Sequence, residues 1–284
     1  MCLRFFGVFL MISSQCAWSQ TKEEFLDLEK RIVRGFKQLD GFELTATGKC
    51  SIDGLPDDHY SIHFWCKGAK IRSDKTDISG RRFVRCLTGK DYVMWEEDSI
   101  PGEVGIAIHR FPYPSEEKEL GHEPANPRLF GMSMGHIQML TTHESNWEEV
   151  VVGTKDRNAF SVRAEDGGVL VGEWTNIADT RVKLVLGQKP LPHVLRIEAS
   201  SSIGTASLNC TPGFSHPEFE IGYPRRIVLH QQYSDGVVLM HEEVDFEIKP
   251  SKIAEETFTL VGLNIPTKNI YKVGEPDAHP TYWD

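Results

Sequence analysis

The feature of this sequence that most constrains its fold is a long succession of segments in which apolar and polar residues alternate. The segment Val237–Ile248 is the plainest, with Val238, Met240, Val244, Phe246 and Ile248 sharing one side. Such a period of two is typical of an antiparallel strand with one face buried and the other solvated. A sheet of these strands must cover its apolar side with its own helix, a second sheet or a bound apolar ligand.

One amphipathic helix precedes the strands. Thr21 and the acidic pair that follows it suit a helix start, and Asp40-Gly41 suits its end. Between them, apolar residues recur at spacings of three and four, which places them on one stripe: Phe25, Leu28, Ile32, Phe36 and Leu39. The helix therefore has an apolar side that must dock on something.

The alternation predicts most of the strands directly, and two Gly-containing turns, Asp166-Gly167-Gly168 and Ser234-Asp235-Gly236, indicate hairpins. Prolines make residues 98–131 an irregular insert, in which only Val104–Phe111 is strand-like, and residues 263–284 form a polar, turn-rich tail. No linker divides residues 20–262, so we expect one domain of the α+β class. The predicted strands are Phe42–Ile52, a segment from Tyr60 to Arg72, Arg82–Leu87, Asp91–Glu96, Trp147–Val152, Ala159–Ala164, Val169–Trp174, Arg181–Leu186, Val194–Ser200, Gly204–Leu208, Arg225–Tyr233, Val237–Ile248 and Thr257–Val261.

Residues 1–19 fit a cleavable signal peptide. Arg4 supplies the positive start, Phe5–Ile12 the apolar stretch, and Ala17-Trp18-Ser19 the small residues before a cleavage site. The apolar run is too short to span a bilayer. We therefore expect a periplasmic or extracellular protein without stable membrane insertion.

The charge of the chain argues against polyanionic partners. The formal net charge is −10, and the basic residues are scattered. Nucleic acids and anionic membrane surfaces reward clustered Lys and Arg, so neither is expected as a main partner.

Four cysteines follow the signal peptide, at Cys50, Cys66, Cys86 and Cys210. If Tyr60–Arg72 and Arg82–Thr88 formed a hairpin, Cys66 and Cys86 would lie roughly opposite each other, which makes them the candidate disulfide. Four buried thiols are the alternative. No C-x-x-C element indicates a structural zinc site.

No motif carries a catalytic or metal-binding signature. His59 and His63 are too far apart on a strand to chelate one ion, and the cluster of His122, His136 and His143 lacks a ligand spacing. Ser133 sits in a G-x-S-x-G match that follows a proline-rich loop instead of a parallel strand, so we read the match as accidental. We expect no metal and no cofactor.

The acidic residues of the last long strand have an ordinary explanation. Glu243, Asp245 and Glu247 fall opposite the apolar side, where carboxylates are solvated. Glu242 differs because it shares the apolar side, so we expect it to be paired, for example with an arginine of a neighbouring strand, or to lie at a cavity rim.

Large side chains on the apolar side could line a ligand cavity. Packing against each other as a closed core is the equally good alternative, since both solutions need the same alternation. The candidate lining residues are Phe25, Phe36, Phe64, Tyr92, Met240 and Phe246.

The order of elements resembles that of the LolA/LolB-type lipoprotein carriers. The helix-to-strand start Phe25–Thr47, the strand Lys70–Arg72 and the hairpin Thr88–Trp95 are similar to the opening of that fold, and Asn126–Gly131 resembles an element of larger secreted bacterial relatives. The resemblance implies an antiparallel sheet curled into a partial, half-open barrel over the N-terminal helix, with acyl chains held on its concave face. No functional residue of the carriers can be placed on a matching position.

Together these features predict an exported, non-catalytic binder or carrier of an apolar ligand, a lipid or a lipid-modified chain. Two alternatives remain open. One is an envelope scaffold that binds another protein and has a closed core; the other is a secreted hydrolase that uses the central His- and Glu-rich region.

Overall fold

The computed structural model describes residues 21–32, 34–35, 40–68, 70–88, 92–97, 106–109, 158–175, 179–214, 220–259, 261–264 and 270–273. Helix α1 comprises residues 21–32 and 34–35. Among the residues described, no helix is both long and apolar enough to cross a membrane. The strands are β1 (Phe42–Ile52), β2 (Asp58–Lys67), β3 (Lys70–Asp77), β4 (Arg82–Leu87), β5 (Tyr92–Glu96), β6 (Ile106–His109), β7 (Asn158–Glu165), β8 (Val169–Thr175), β9 (Arg181–Gly187), β10 (His193–Ser200), β11 (Gly204–Phe214), β12 (Tyr223–Tyr233), β13 (Val238–Pro250) and β14 (Ile270–Val273).

The chain forms two compact units. Unit 1 contains Met1–Lys37 and Met134–His241, and unit 2 contains Gln38–Ser133 and Glu242–Asp284. Each unit is therefore assembled from two separate stretches of sequence.

Unit 1 is an antiparallel meander with α1. Its strands follow each other in space as they do in sequence, from β7 to β12. The register aligns one side chain from each strand into a row on a single face, because directly paired residues of neighbouring strands point the same way. One such row runs Val162, Gly172, Leu184, Ile197, Leu208 and Leu229. We call this side the apolar face of unit 1.

Unit 2 has the strand order β14-β6-β5-β4-β3-β2-β1, followed by the part of β13 from Glu242 onward. The pairs from β1 to β6 are antiparallel, whereas β14 pairs parallel with β6. One face carries Phe42, Leu44, Phe64, Cys66, Ile71 and Leu87, all almost fully buried. We call it the apolar face of unit 2. The opposite face of β2 to β5 is covered by residues 253–263, which include the short 3₁₀ helix Glu255–Phe258.

The predicted class, a predominantly antiparallel sheet with an N-terminal helix, is confirmed. Three elements differ from the sequence prediction. The segment from Tyr60 to Arg72 is two strands, because the chain reverses at Gly68, whose φ of 58° is left-handed. Thr257–Val261 is not a strand. Residues 263–284, predicted as a tail without regular structure, contain β14.

The predicted strand Thr257–Val261 was wrong for a physical reason. Phe258 and Leu263 are both buried in the core that covers β2 to β5, so the backbone between them must turn to present both side chains to one sheet. A 3₁₀ turn and the turn after it do this, while a strand would point alternate residues away. The predicted strand Trp147–Val152 and the predicted signal peptide lie outside the described residues.

Candidate ligand-binding faces

Helix α1 packs against the sheet of unit 1 through Phe25. The ring of Phe25 lies directly against Gly172 of β8, where any Cβ would overlap it. Phe25 also makes an edge-to-face contact with Phe160 at 5.9 Å between centroids, and Phe160 contacts Trp174 in the same way at 6.0 Å. Phe25 is 0% exposed. The glycine thus provides the space that lets the helix approach the sheet closely.

Further contacts of α1 with the sheet of unit 1 include a second close approach and two polar contacts. Gly35 packs against the side chain of Ile221. At the other end of the helix, Nζ of Lys22 lies 4.6 Å from the Phe160 ring centre, and Gln188 donates a 2.7 Å hydrogen bond to Glu24. The last of these hydrogen bonds is exposed, and Phe25, Leu28 and Ile32 supply the buried apolar surface of the helix, beside the buried Glu29.

The apolar face of unit 1 contains one row that differs from its neighbours. Val182 of β9 pairs with Ala199 of β10, Ala199 pairs with Ala206 of β11, and Ala206 pairs with Gln231 of β12. Gln231 is 1% exposed, and neither its Nε2 nor its Oε1 has a hydrogen-bond partner among the described residues. Buried polar groups almost always have partners. Among the described residues Gln231 has two buried atoms without one, whereas Ser73 and Trp95 have one each.

The apolar face of unit 2 is built around stacked aromatic rings. The rings of Phe42 and Phe64 lie nearly parallel, with centroids 6.1 Å apart, and both residues are completely buried. Leu44 pairs with Phe64 in the backbone register. These side chains form a packed layer in the described structure.

A buried polar pair lies on the same face. The Tyr60 hydroxyl donates a 2.5 Å hydrogen bond to Oε1 of Glu242, and both residues are more than 90% buried. Tyr60 reaches Glu242 across Gly48, its register partner, whose missing side chain leaves room for the phenol ring. The expectation that Glu242 is paired was therefore right, but its partner is a tyrosine and not an arginine.

Further groups surround this pair. Nζ of Lys75 lies 4.5 Å from the centre of the Tyr60 ring and 3.7 Å from Oδ2 of Asp58. Burial raises the pKa of the nearby Cys50 thiol to about 11, and the Glu242 carboxylate adds to the shift. Cys50 is therefore a protonated thiol at neutral pH and has none of the thiolate character that nucleophilic cysteines need.

The opposite face of unit 2 is held by an arginine clamp, which we define as Arg72, Arg82 and Asp74. Arg72 forms two 2.7 Å hydrogen bonds to Asp74 and donates to the carbonyls of Thr257 and Gly262 at 3.0 and 2.8 Å. Arg82 bonds Asp74 at 2.6 Å and the carbonyl of Leu263 at 3.0 Å. The clamp satisfies backbone carbonyls that the turn leaves without ladder partners.

Two lysines hold the start of the same segment. Lys67 and Lys70 both bind the carboxylate of Glu255, and Lys67 also donates to the carbonyl of Ile253 at 2.9 Å. These hydrogen bonds lower the pKa of Glu255 to about 2. Residues 253–263 are thus attached to the sheet by cations along their whole length.

The predicted lining residues fall in different units. Phe25 and Met240 belong to unit 1 and are buried, while Phe64 and Phe246 belong to unit 2 and are buried. Tyr92 pairs with Leu87 in the backbone register of unit 2. Phe36 lies outside the described residues, as do Ser133 and the His122, His136 and His143 group.

The predicted pairing of Cys66 with Cys86 does not fit the strand register. Cys66 pairs with Ile71, and Cys86 pairs with Arg72, so β3 separates the two cysteines and they point to opposite faces. Disulfides need Cα atoms within about 7 Å, whereas two strand spacings exceed 9 Å. None of the four described cysteines is in a disulfide.

The polar residues of the histidine and acidic groups lie at the surface. His63 bonds Glu43 at 2.8 Å and stacks on Trp65, and His59 is exposed. Asp245 and Glu247 are exposed, as the alternation predicts. In the part of the chain that the structure describes, no group of three potential ligands could hold a metal ion.

Sequence reasoning missed two features. The arginine clamp joins residues far apart in sequence, and no local sequence pattern predicts it. The position of Gln231 could have been predicted, because it continues the alternation of Ile227 and Leu229 and so falls on the apolar side of β12.

Comparisons with known proteins give similar chains among solved structures. No family model and no curated protein matches the chain. Among solved structures, the chain is similar to a LolA superfamily protein from Nitrosomonas europaea, with 14% identity, 83% of this chain and 97% of that chain covered, and a TM-score of 0.43. It is similar to a DUF1329 family protein from Desulfovibrio piger, with 12% identity, coverage of 85% and 98%, and a TM-score of 0.45.

A third similar structure is a putative outer membrane lipoprotein-sorting protein domain from Vibrio parahaemolyticus. The identity is 10%, the coverage is 84% of this chain and 97% of that chain, and the TM-score is 0.42. The first of these similar structures carries the LolA name, which is the name of the class that the sequence resembles.

Proposed function

We propose that this protein is an exported, non-catalytic binder of an apolar ligand, a lipid or a lipid-modified chain. The observation that carries the proposal is the seat of α1 on unit 1, where Phe25 rests on Gly172 over an apolar face that crosses six strands. A helix held mainly by apolar surface can be exchanged for an apolar ligand, because both cover the same kind of area. The half-open barrel predicted from the sequence is the shape we propose for the binding state.

The energetics of such an exchange are favourable for long chains. Each methylene transferred from water to an apolar face contributes about 0.8 kcal/mol. Displacing α1 exposes the apolar stripe of Phe25, Leu28 and Ile32. A ligand therefore binds only if it buries an apolar area comparable to that of the stripe. We therefore expect affinity to rise steeply with chain length and short chains not to bind.

Native mass spectrometry tests the proposal. The mature protein is purified from a lipid-rich exporting host, and its native mass is compared with its denatured mass. It is then offered fatty acids of 8, 12 and 16 carbons at about 10 μM, of which the 16-carbon chain has the largest transfer free energy. We expect an added mass of lipid size and loading that increases with chain length. A bare polypeptide mass in every case would overturn the proposal.

A second measurement locates the ligand. Hydrogen exchange of α1, residues 21–35, is compared with and without the 16-carbon acid. Faster exchange in α1 on loading is the expected result, since the ligand takes its place. The residues of β2 to β4 serve as the internal reference.

The packing of Phe25 favours a second candidate function. Phe25, Phe160 and Trp174 already form a continuous set of aromatic contacts, which is what a closed core requires. Under this alternative the protein is an envelope scaffold that binds another protein. Unchanged exchange of α1 with every lipid, together with a bare mass, would support it.

A further inference from the structure

We infer that Gln231 marks a polar subsite within the apolar face of unit 1, which takes an apolar chain interrupted by a group that both donates and accepts a hydrogen bond, of which a secondary amide is the simplest. The inference rests on the proposed function and adds to it the chemistry of the ligand.

The first observation is the depth and isolation of the Gln231 amide. The residue is 1% exposed, and both Nε2 and Oε1 lack partners among the described residues. Nε2 can donate two hydrogen bonds and Oε1 can accept two. A buried amide whose nitrogen and oxygen both lack partners destabilises the folded protein. A role in binding explains its presence, because a ligand would supply both hydrogen bonds.

The second observation is the small size of the side chains beside that amide. Gln231 pairs with Ala206, and Ala206 pairs with Ala199, so two methyl side chains lie next to the amide on the same face. The adjacent row has Ile197 and Leu208 at the corresponding strands. The side chains along the two alanines are therefore shorter than those of the adjacent row, and both alanines are buried, at 2% and 3% exposed.

The two observations together specify the ligand group. An ester carbonyl could accept from Nε2 but would leave Oε1 without a donor. An ether oxygen is a weaker acceptor still, and a plain hydrocarbon would leave both atoms unsatisfied. A secondary amide provides a carbonyl for Nε2 and an N–H for Oε1 at once, and its flanking methylenes suit the alanines and the apolar residues around them.

Matched probes test the inference by competition. N-methylhexadecanamide, methyl hexadecanoate and 1-methoxyhexadecane have similar length and differ in the hydrogen bonds they offer. An equimolar mixture is offered to the full chain, and native mass spectrometry reads the ratio of loaded species. In the unaltered protein we expect the amide to exceed the ether by about tenfold, with the ester between them, on the usual strength of one to two hydrogen bonds.

Two variants provide the contrast. Gln231→Met keeps the size of the side chain and removes both polar atoms, and it should reduce the preference to within about twofold, a limit below the worth of one hydrogen bond. Gln232→Met is the matched control, because the neighbouring residue points to the other face, and it should keep the full preference.

The Tm of the same variants without ligand provides a second readout. The two roles of Gln231, in binding or in structure alone, predict opposite changes in this Tm. Removing an unsatisfied buried amide should raise the Tm of Gln231→Met by a few degrees, about 2–4 °C for a domain of this size. A lowered Tm would show that the amide already has a structural partner and would overturn the inference.

The outcomes separate this inference from the proposed function. Equal loading of all three probes overturns the polar subsite and leaves the binding of apolar ligands in place. Loading of none of them overturns both. A preference that survives Gln231→Met places the polar recognition elsewhere and overturns the assignment to Gln231.

Discussion

The hydroxyl of Tyr60 donates a 2.5 Å hydrogen bond to the buried carboxylate of Glu242, across a glycine on the strand between them. The pair shows how this sheet accommodates an acid on its apolar face. Because Gly48 has no side chain, the phenol ring of Tyr60 has room to cross β1 and reach β13. Three residues from three strands thus act together, and changing any one should affect the others.

We expect Tyr60→Phe to destabilise the protein by about 1–3 kcal/mol, because it leaves the buried carboxylate of Glu242 without this donor. Urea denaturation followed by tryptophan fluorescence measures the change. Tyr233→Phe, at an exposed tyrosine, is the control and should have little effect. The double variant Tyr60→Phe/Glu242→Met should recover part of the loss; additive effects would contradict the coupling.

We expect Gly172→Ala to destabilise unit 1 by about 1–3 kcal/mol, because the new methyl group would overlap the Phe25 ring and force α1 away from the sheet. The matched test is the same substitution combined with Phe25→Leu, which makes room. The double variant should be at least as stable as Gly172→Ala alone. If the two effects add to within about 0.5 kcal/mol, the contact does not couple helix and sheet.

We expect Arg72→Lys to cost about 2–4 kcal/mol. A lysine cannot hold Asp74 with two bonds and also reach the carbonyls of Thr257 and Gly262. Hydrogen exchange should become faster in residues 253–263. Arg163→Lys is the control: that arginine also binds two acids but is 50% exposed, so its loss should cost less than about 1 kcal/mol. Equal costs at the two sites would contradict the clamp.

We expect the effect of Glu255→Gln to depend on pH. The pKa of Glu255 in the folded protein, about 2, is below its ordinary value of 4.5, so its contribution to stability is present above pH 4.5 and is lost as the pH falls toward 2. The difference in urea midpoint between the unaltered protein and the variant should therefore be largest near neutral pH and should shrink between pH 4.5 and 2.

The control for that series is Glu256→Gln, which removes the neighbouring carboxylate of the same 3₁₀ helix. The difference for Glu255→Gln should exceed that of the control near neutral pH. Because both acids lie at the surface, the effect should also decrease in high salt. A difference that stayed constant from pH 7 to pH 2 would show that the ion pairs with Lys67 and Lys70 do not contribute.

The parts of the fold that depend on local pattern could be predicted from the sequence. The alternation on β13 gave the buried side of Met240, Val244 and Ile248, and it singled out Glu242 as needing a partner. The alternation could not supply the identity of that partner, because Tyr60 lies on a strand that the sequence does not order relative to β13. The same limit explains the cysteines: their relation depends on whether a strand intervenes, and Gly68 decides that by reversing the chain.

The candidate site follows the same division. Phe25 could be placed on the docking side of α1 from its spacing, whereas its seat on Gly172 requires the register of β7 and β8. Gln231 could have been assigned to the apolar side of β12 by counting from Ile227. That its amide lacks a partner among the described residues could be learned only from the packed structure, because the sequence does not show which atoms come into contact.

The arginine clamp also determines when unit 2 can be completed. Arg72 and Thr257 are separated by 185 positions, so a ribosome adding about 5–20 residues per second makes the second roughly 10–40 seconds after the first. Until then, Arg72 and Asp74 have no carbonyls of residues 257–263 to hold, and the hydrophobic side chains beneath them remain uncovered. Unit 2 can therefore be completed only after residues 257–263, almost the last part of its second stretch of sequence, have been made.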